Sequence, residues 1–199
     1  MIHEPGDSVR TDAAERIDED SNDMTKAISS GDVRDPDEYF MREALKEAEK
    51  AYALSEIPIG AVLVHEGEII ARAHNRRELD NDATAHAEIL AIREANERLG
   101  RWRLTGCALY VTIEPCPMCA GAVVNARVDR VVYGGSDYKG GAVESLFNVL
   151  THPGLNHEPQ IVSGVLGDEC ADIMRRFFRE RRQIRRSTQV AEGSALEMR

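Results

Sequence analysis

The 199-residue sequence has no apolar run long enough to cross a bilayer, only one tryptophan, four cysteines and no excess of positive charge. A spanning helix needs about 20 consecutive apolar residues, so no membrane role is expected. The first residues are rich in Asp and Glu and lack the basic-then-apolar order of a secretory signal, which makes cytoplasmic residence the expectation. Four cysteines are too few for a disulfide scaffold. Cys116 and Cys119 instead have the close spacing used for metal or redox work inside cells. Aromatic residues are absent from residues 1–36. That polar segment cannot bury enough apolar surface to offset its ordering entropy, so it reads as a disordered acidic tail.

A hydrophobic fraction of 42% and a charged fraction of 30% are ordinary for a globular chain, and the length suits one domain with a real core. The net charge of −10 at first argues against a nucleic-acid partner, but its distribution does not. Residues 1–38 hold 12 acidic against 4 basic side chains, leaving 23 against 21 in the remainder. Within that remainder, residues 175–186 contain seven Arg and one Glu. The basic face is hidden in the total by the acidic tail.

Order is expected from Asp35-Pro36-Asp37, a cap and first turn that open an amphipathic helix through Phe40, Met41, Leu45, Ala48 and Tyr52. Residues 59–64 and Ile69-Ile70 flank Glu66-Gly67 and read as a hairpin. Thr84 is placed to cap a second helix that ends at Gly100. Residues 108–113 read as a third strand, followed by a helix that starts at Pro115 and carries Cys116 and Cys119. A fourth strand over 130–133, a short helix over 145–150, a fifth strand over 161–165 and a last helix over 168–186 complete the domain, placed at 37–186. Residues 187–199 are expected to be loose. The alternation after an initial hairpin implies an α/β fold, a mixed five-stranded sheet with helices on its faces.

Taken singly, the chemistry-bearing residues have ordinary explanations. A His near a helix start is most often a surface or capping residue, Glu88 in a first turn is a solvated group favoured by the dipole, and Cys116 and Cys119 suit a core or a redox pair. Together, His86, Cys116 and Cys119 form a three-ligand set. Cys residues at i and i+3 share a helix face, and a helix N-terminus favours thiolates. Three protein ligands leave the fourth tetrahedral position for water, the pattern of a catalytic zinc. Residues two apart on a regular helix point about 200° from each other. His86 and Glu88 can therefore serve one centre only at the N-terminal end of their helix, which requires two helix starts to face each other.

These residues lie in His74-Asn75, Thr84-Ala85-His86-Ala87-Glu88, Thr112-Ile113-Glu114-Pro115-Cys116-Pro117-Met118-Cys119, Val131-Val132-Tyr133-Gly134 and His152-Pro153-Gly154-Leu155-Asn156-His157. On them the chain resembles the tRNA-specific adenosine deaminases of the cytidine deaminase-like superfamily, the TadA type, from about Phe40 to Arg186. The resemblance implies a three-layer α/β/α fold and one Zn²⁺ per subunit on His86, Cys116 and Cys119. It further implies hydrolysis of adenosine to inosine at the wobble position of a tRNA anticodon, with Glu88 moving the protons. Asn75 is implied to fix the flipped nucleoside, and Asp137, Lys139 and Asn156 to lie around the RNA. A homodimer and a tRNA anticodon stem-loop are the implied partners. The last helix offers Arg182 and its neighbours for phosphates and Phe178 for base stacking, with Phe177 the phenylalanine expected in the core. Two other readings remain open at this point: deamination of a free nucleobase or nucleoside such as cytosine or guanine, and a non-catalytic zinc module that binds RNA.

Overall fold

The computed structural model describes residues 35–197, with side chains through residue 188. The acidic tail expected over residues 1–36 lies outside the described residues except for its last two. Helix α1 spans Pro36–Ala53 and begins where Asp35 accepts a hydrogen bond from the Asp37 amide at 3.0 Å. Strands β1 (Gly60–His65) and β2 (Glu68–His74) form the expected hairpin. Its turn uses Glu66 and Gly67, both with positive φ, the conformation that matches strand twist. Helix α2 (Ala87–Leu99), strand β3 (Cys107–Ile113), helix α3 (Pro117–Ala126), strand β4 (Arg130–Gly135), strand β5 (Gln160–Ser163) and helix α4 (Gly167–Glu197) follow in order.

The sheet runs β2-β1-β3-β4-β5, antiparallel over its first three strands and parallel over its last three. Burial on both faces explains the near-continuous apolar runs of the inner strands. One face carries Leu63, Leu109 and Val131 against Ala91 and Ala95 of α2 and Ala120 and Val123 of α3. The other carries Val62, Tyr110 and Val132 against Met41 and Ala44 of α1 and Cys170 of α4. Alternate residues of one strand thus serve two cores, and the architecture is the expected three-layer α/β/α. Two glycines permit the closest approaches. A Cβ at Gly60 would lie 2.1 Å from the Ala44 carbonyl oxygen, and one at Gly134 would lie 2.3 Å from Cys170 Sγ.

Four local expectations differ from the structure. The segment 145–150 is not a helix, because the amides of Val143, Glu144 and Ser145 are drawn to the Glu114 carboxylate instead of continuing a helical turn. Thr84 does not cap α2: its amide and hydroxyl donate to Asp82 in a turn, and His86 holds the N-cap position. Helix α3 starts at Pro117 rather than Pro115, with Cys116 as its N-cap. The last helix continues past Arg186 to Glu197 rather than loosening there. Ser187 and Thr188, whose hydroxyls often divert a backbone, bond back to the Ile184 carbonyl and stay within the helix. No helix among the described residues is long and apolar enough to cross a membrane.

Helix α1 is tied to the sheet by Asp37, whose carboxylate accepts from Arg130 at 2.6 and 2.7 Å and from the Tyr110 hydroxyl at 2.9 Å. The Arg130 hydrogen bond holds the Asp37 carboxyl below its ordinary 3.8, against the opposing effect of burial. A group whose pKa is lower in the folded than in the unfolded chain contributes stability above the unfolded value and loses it as pH falls through the folded one. Asp37→Asn should therefore cost about 1.5–3 kcal/mol at neutral pH. Urea unfolding of the zinc-free protein should show this gap shrinking as pH falls below 3.8.

Candidate metal centre and substrate cleft

The end of β3 feeds α3 and the loop after β2 feeds α2, so both helices begin at the same edge of the sheet, beyond the C-terminal ends of the parallel strands. His86 is the N-cap residue of α2 and Cys116 that of α3, both in extended conformation, with ψ of 150° and 172°. An N-cap side chain ordinarily accepts from its own helix's first-turn amides. Neither of these does. Instead, His86 Nδ1 lies 3.7 Å from Cys116 Sγ and 3.6 Å from Cys119 Sγ, and the three ligand atoms all fall within 4.8 Å of one another. A tetrahedral ion with bonds of about 2.3 Å to sulfur and 2.0–2.1 Å to nitrogen needs edges of about 3.6 Å between those atoms. The donor set therefore fits zinc.

The electrostatics agree. The Cys116 thiol is brought down to about 4, first by the hydrogen bond from Cys119 and then, against burial, by His86. Cys119 is pushed up, because it donates that bond and because it is buried. The set thus favours a thiolate at Cys116, at a point where two helix dipoles present their positive ends. His86 is raised, chiefly by its hydrogen bond to Cys116.

Glu88 stands in the first turn of α2 and is 2% exposed. Its Oε2 has no hydrogen-bond partner among the described residues, and burial raises its pKa. A buried carboxylate with an orphan oxygen, beside a metal set it does not join, is poised to take and give protons. It lines a cleft of about 840 Å³, a size within the range of small-molecule sites. Ile57, Ile59 and Ile113 supply apolar walls, and His86, Cys116 and Asn75 the polar ones.

Asn75 is buried, and its Nδ2 donates to Glu56 Oε2 at 2.9 Å while the other oxygen of Glu56 accepts from the Leu79 amide. Because a carboxylate only accepts, the amide is fixed with nitrogen toward Glu56. Its Oδ1 and second N–H remain for a ligand. Asp137 and Lys139 also line the cleft, as do Phe178 and Arg182 of α4. Phe177 is buried and Phe178 is 41% exposed, the division expected from the sequence. The α4 arginines are not equivalent. Arg175 and Arg176 pair with Asp172 and Glu49, whereas Arg179 and Arg182 have no acidic partner within salt-bridge distance among the described residues.

Asn156, which the resemblance placed around the RNA, lies on the surface beside Arg127. It is exposed, does not line the cleft, and its Oδ1 accepts from Arg127 at 2.6 Å. Arg127 caps the C-terminal end of α3, and the ligands sit at the N-terminal end. Ten helical residues separate the two by about 15 Å. Two buried carboxylates were missed. Glu56 orients Asn75, and a buried Asn demands such a partner, which was the available signal. Glu114 is 2% exposed. Its burial alone would raise its pKa, but hydrogen bonds from the Glu144, Ser145 and Asp137 backbone and the Ser145 hydroxyl outweigh that and bring it to about 2.

The chain matches, over residues 34–135, the family described as the cytidine and deoxycytidylate deaminase zinc-binding region. It is 56% identical over 151 residues to the tRNA-specific adenosine deaminase of Bacillus subtilis, covering 76% of this chain and 94% of that one. A structure solved in work on A-to-I editing by tRNA:A34 deaminases at the wobble position of transfer RNA superposes with a TM-score of 0.66 at 52% identity. That match covers 68% of this chain and 98% of the other. A guanine deaminase from Nitrosomonas europaea shares the fold, with a TM-score of 0.63 at 23% identity over 77% of this chain and 90% of that one.

The purified protein should carry one zinc per chain by elemental analysis, and Cys116→Ala and Cys119→Ala should carry none. Chelation should lower the melting temperature of the parent, because a ligand bound only by the folded state adds to its stability.

Proposed function

The chain belongs to the cytidine and deoxycytidylate deaminase family, among its tRNA-specific adenosine deaminases, and from that membership we propose that it converts adenosine to inosine at the wobble position of a tRNA anticodon. The observation that carries the chemistry is the buried, unpartnered Glu88 oxygen beside the His86–Cys116–Cys119 triangle. Zinc held by that triangle would supply a water acidified enough to act at neutral pH. Glu88 takes the proton of that water and passes it to N1 of the adenine. Once the water oxygen has bonded to C6, Glu88 takes its remaining proton and delivers it to the amine, so that the C6–N bond breaks, ammonia leaves and the oxygen stays as the C6 carbonyl of inosine. The raised pKa of Glu88 suits both directions of transfer.

Asn75, held by Glu56, hydrogen-bonds the edge of the base, and the isoleucine walls exclude water from it. The base must leave its stack to reach this depth. Phe178 offers a surface for a neighbouring base, and Arg179 and Arg182 offer charge for the flanking phosphates. Asp137 and Lys139 line the same cleft. Deamination of a free nucleoside would need none of the α4 side chains. We further propose that the protein acts in the cytoplasm as a homodimer.

Glu88→Ala should keep its zinc and lower kcat on an anticodon stem-loop by about 10²–10⁴-fold. Unchanged turnover would remove the proton-carrier role. Arg182→Ala should weaken RNA binding and reduce the slope of log affinity against log salt by about one. Ammonia from free nucleosides, with no inosine in the stem-loop, would overturn the RNA reading.

A further inference from the structure

Glu114 takes no part in the chemistry above, yet the segment after β4 is folded around its side chain. Oε1 accepts from the amides of Val143, Glu144 and Ser145 at 3.0, 2.8 and 2.8 Å. Oε2 accepts from the Asp137 amide at 3.0 Å and from the Ser145 hydroxyl. Amides that converge in this way make an anion cradle, and here the protein fills it with its own carboxylate. Gly141 permits the closure: a Cβ there would lie 2.4 Å from Glu114 Cδ.

The consequence is positional. The Glu114 amide donates to the Gly135 carbonyl at 2.8 Å, and the Ala142 amide donates to the Pro115 carbonyl at 2.8 Å. The wall residues are turned on the same anchor, with the Gly141 amide donating to the Asp137 carbonyl and the Lys139 amide to Asp137 Oδ1. Glu114 thus joins two pieces. On one side, two residues along the chain, is Cys116 at the start of α3. On the other are Asp137 and Lys139, which line the same cleft as the arginines of α4. A carboxylate is needed because every group that meets it is a donor. A neutral amide at this position would turn a donor toward donors.

We infer that Glu114 is a positioning residue for recognition of the RNA around the target base, fixing the Asp137–Lys139 wall relative to the metal helix. The inference rests on the RNA reading of the preceding section. It separates two roles within one strand-to-helix junction: Cys116 and Cys119 hold the reacting centre, and Glu114 holds the surface that meets the flanking nucleotides. Its loss should act on substrate capture more than on the chemical step.

The test compares zinc-loaded wild type, Glu114→Gln, Lys139→Ala and the double variant on an anticodon stem-loop. Glu114→Gln should keep one zinc per chain and raise KM about tenfold with kcat changed less than about twofold. Amide exchange should accelerate over residues 137–145 and stay unchanged over α3. The double variant should have a KM no higher than the worse single one, because Glu114 acts through the wall that carries Lys139. A fall in kcat at constant KM, KM effects that multiply, or unchanged exchange over 137–145 would each overturn the assignment. Ser145→Ala removes one donor and leaves the carboxylate. It should show the same changes in smaller measure, and it decides the matter if Glu114→Gln does not fold. If the wild type forms no inosine in RNA, the functional reading fails, and the exchange data with stem-loop affinity from fluorescence anisotropy still decide for or against Glu114.

Discussion

Everything chemical in this protein depends on two helices beginning at one point. His86 and Cys116 occupy N-cap positions, and each forgoes the hydrogen bond that such a residue normally makes to its own helix. A capping interaction is worth about 1 kcal/mol, so two are given up locally. The compensation is a triangle of one imidazole and two sulfurs sized for zinc, at the positive ends of two dipoles that favour thiolate. The rest of the fold sets this meeting. Strands β2 and β3 are each antiparallel to β1 between them and so run the same way, the chain leaves both at the same edge, and ligand sites in open α/β sheets form outside such strand ends.

From that constraint the functions divide by depth. Deepest are the metal set and Glu88, which define a hydrolytic deamination. Asn75, clamped by Glu56, and three isoleucines line the same cleft, where the proposed reading seats a flat base. Phe178, Arg179 and Arg182 line the same cleft with Asp137 and Lys139 and are more exposed than the metal set. The outer layer is what a polynucleotide requires and a free base does not.

Much of this was legible in the sequence, for identifiable reasons. The strands showed because both faces are buried and the runs are apolar. Cys116 and Cys119 showed because one helical turn fixes their geometry, and the geometric conflict between His86 and Glu88 forced the two helix starts to converge. Thr84 was misjudged because Asp82, two residues earlier, competes for the same hydroxyl and amide. The segment 145–150 looked helical because nothing local reveals that its preceding amides serve a carboxylate about thirty residues back in the chain. Glu114 was invisible for the same reason. Its role lies in contacts between distant segments, which spacing does not encode. Asn156 was expected around the RNA from the resemblance alone, and its side chain meets Arg127 outside the cleft.

The central claim is that the metal triangle and Glu88 serve RNA adenosine rather than a free base. Sequencing cellular tRNA with and without this protein tests it most directly. The account predicts inosine at the wobble position of at least one tRNA when the protein is present, and unmodified adenosine there when it is removed. Wobble inosine that persists undiminished after removal would contradict it.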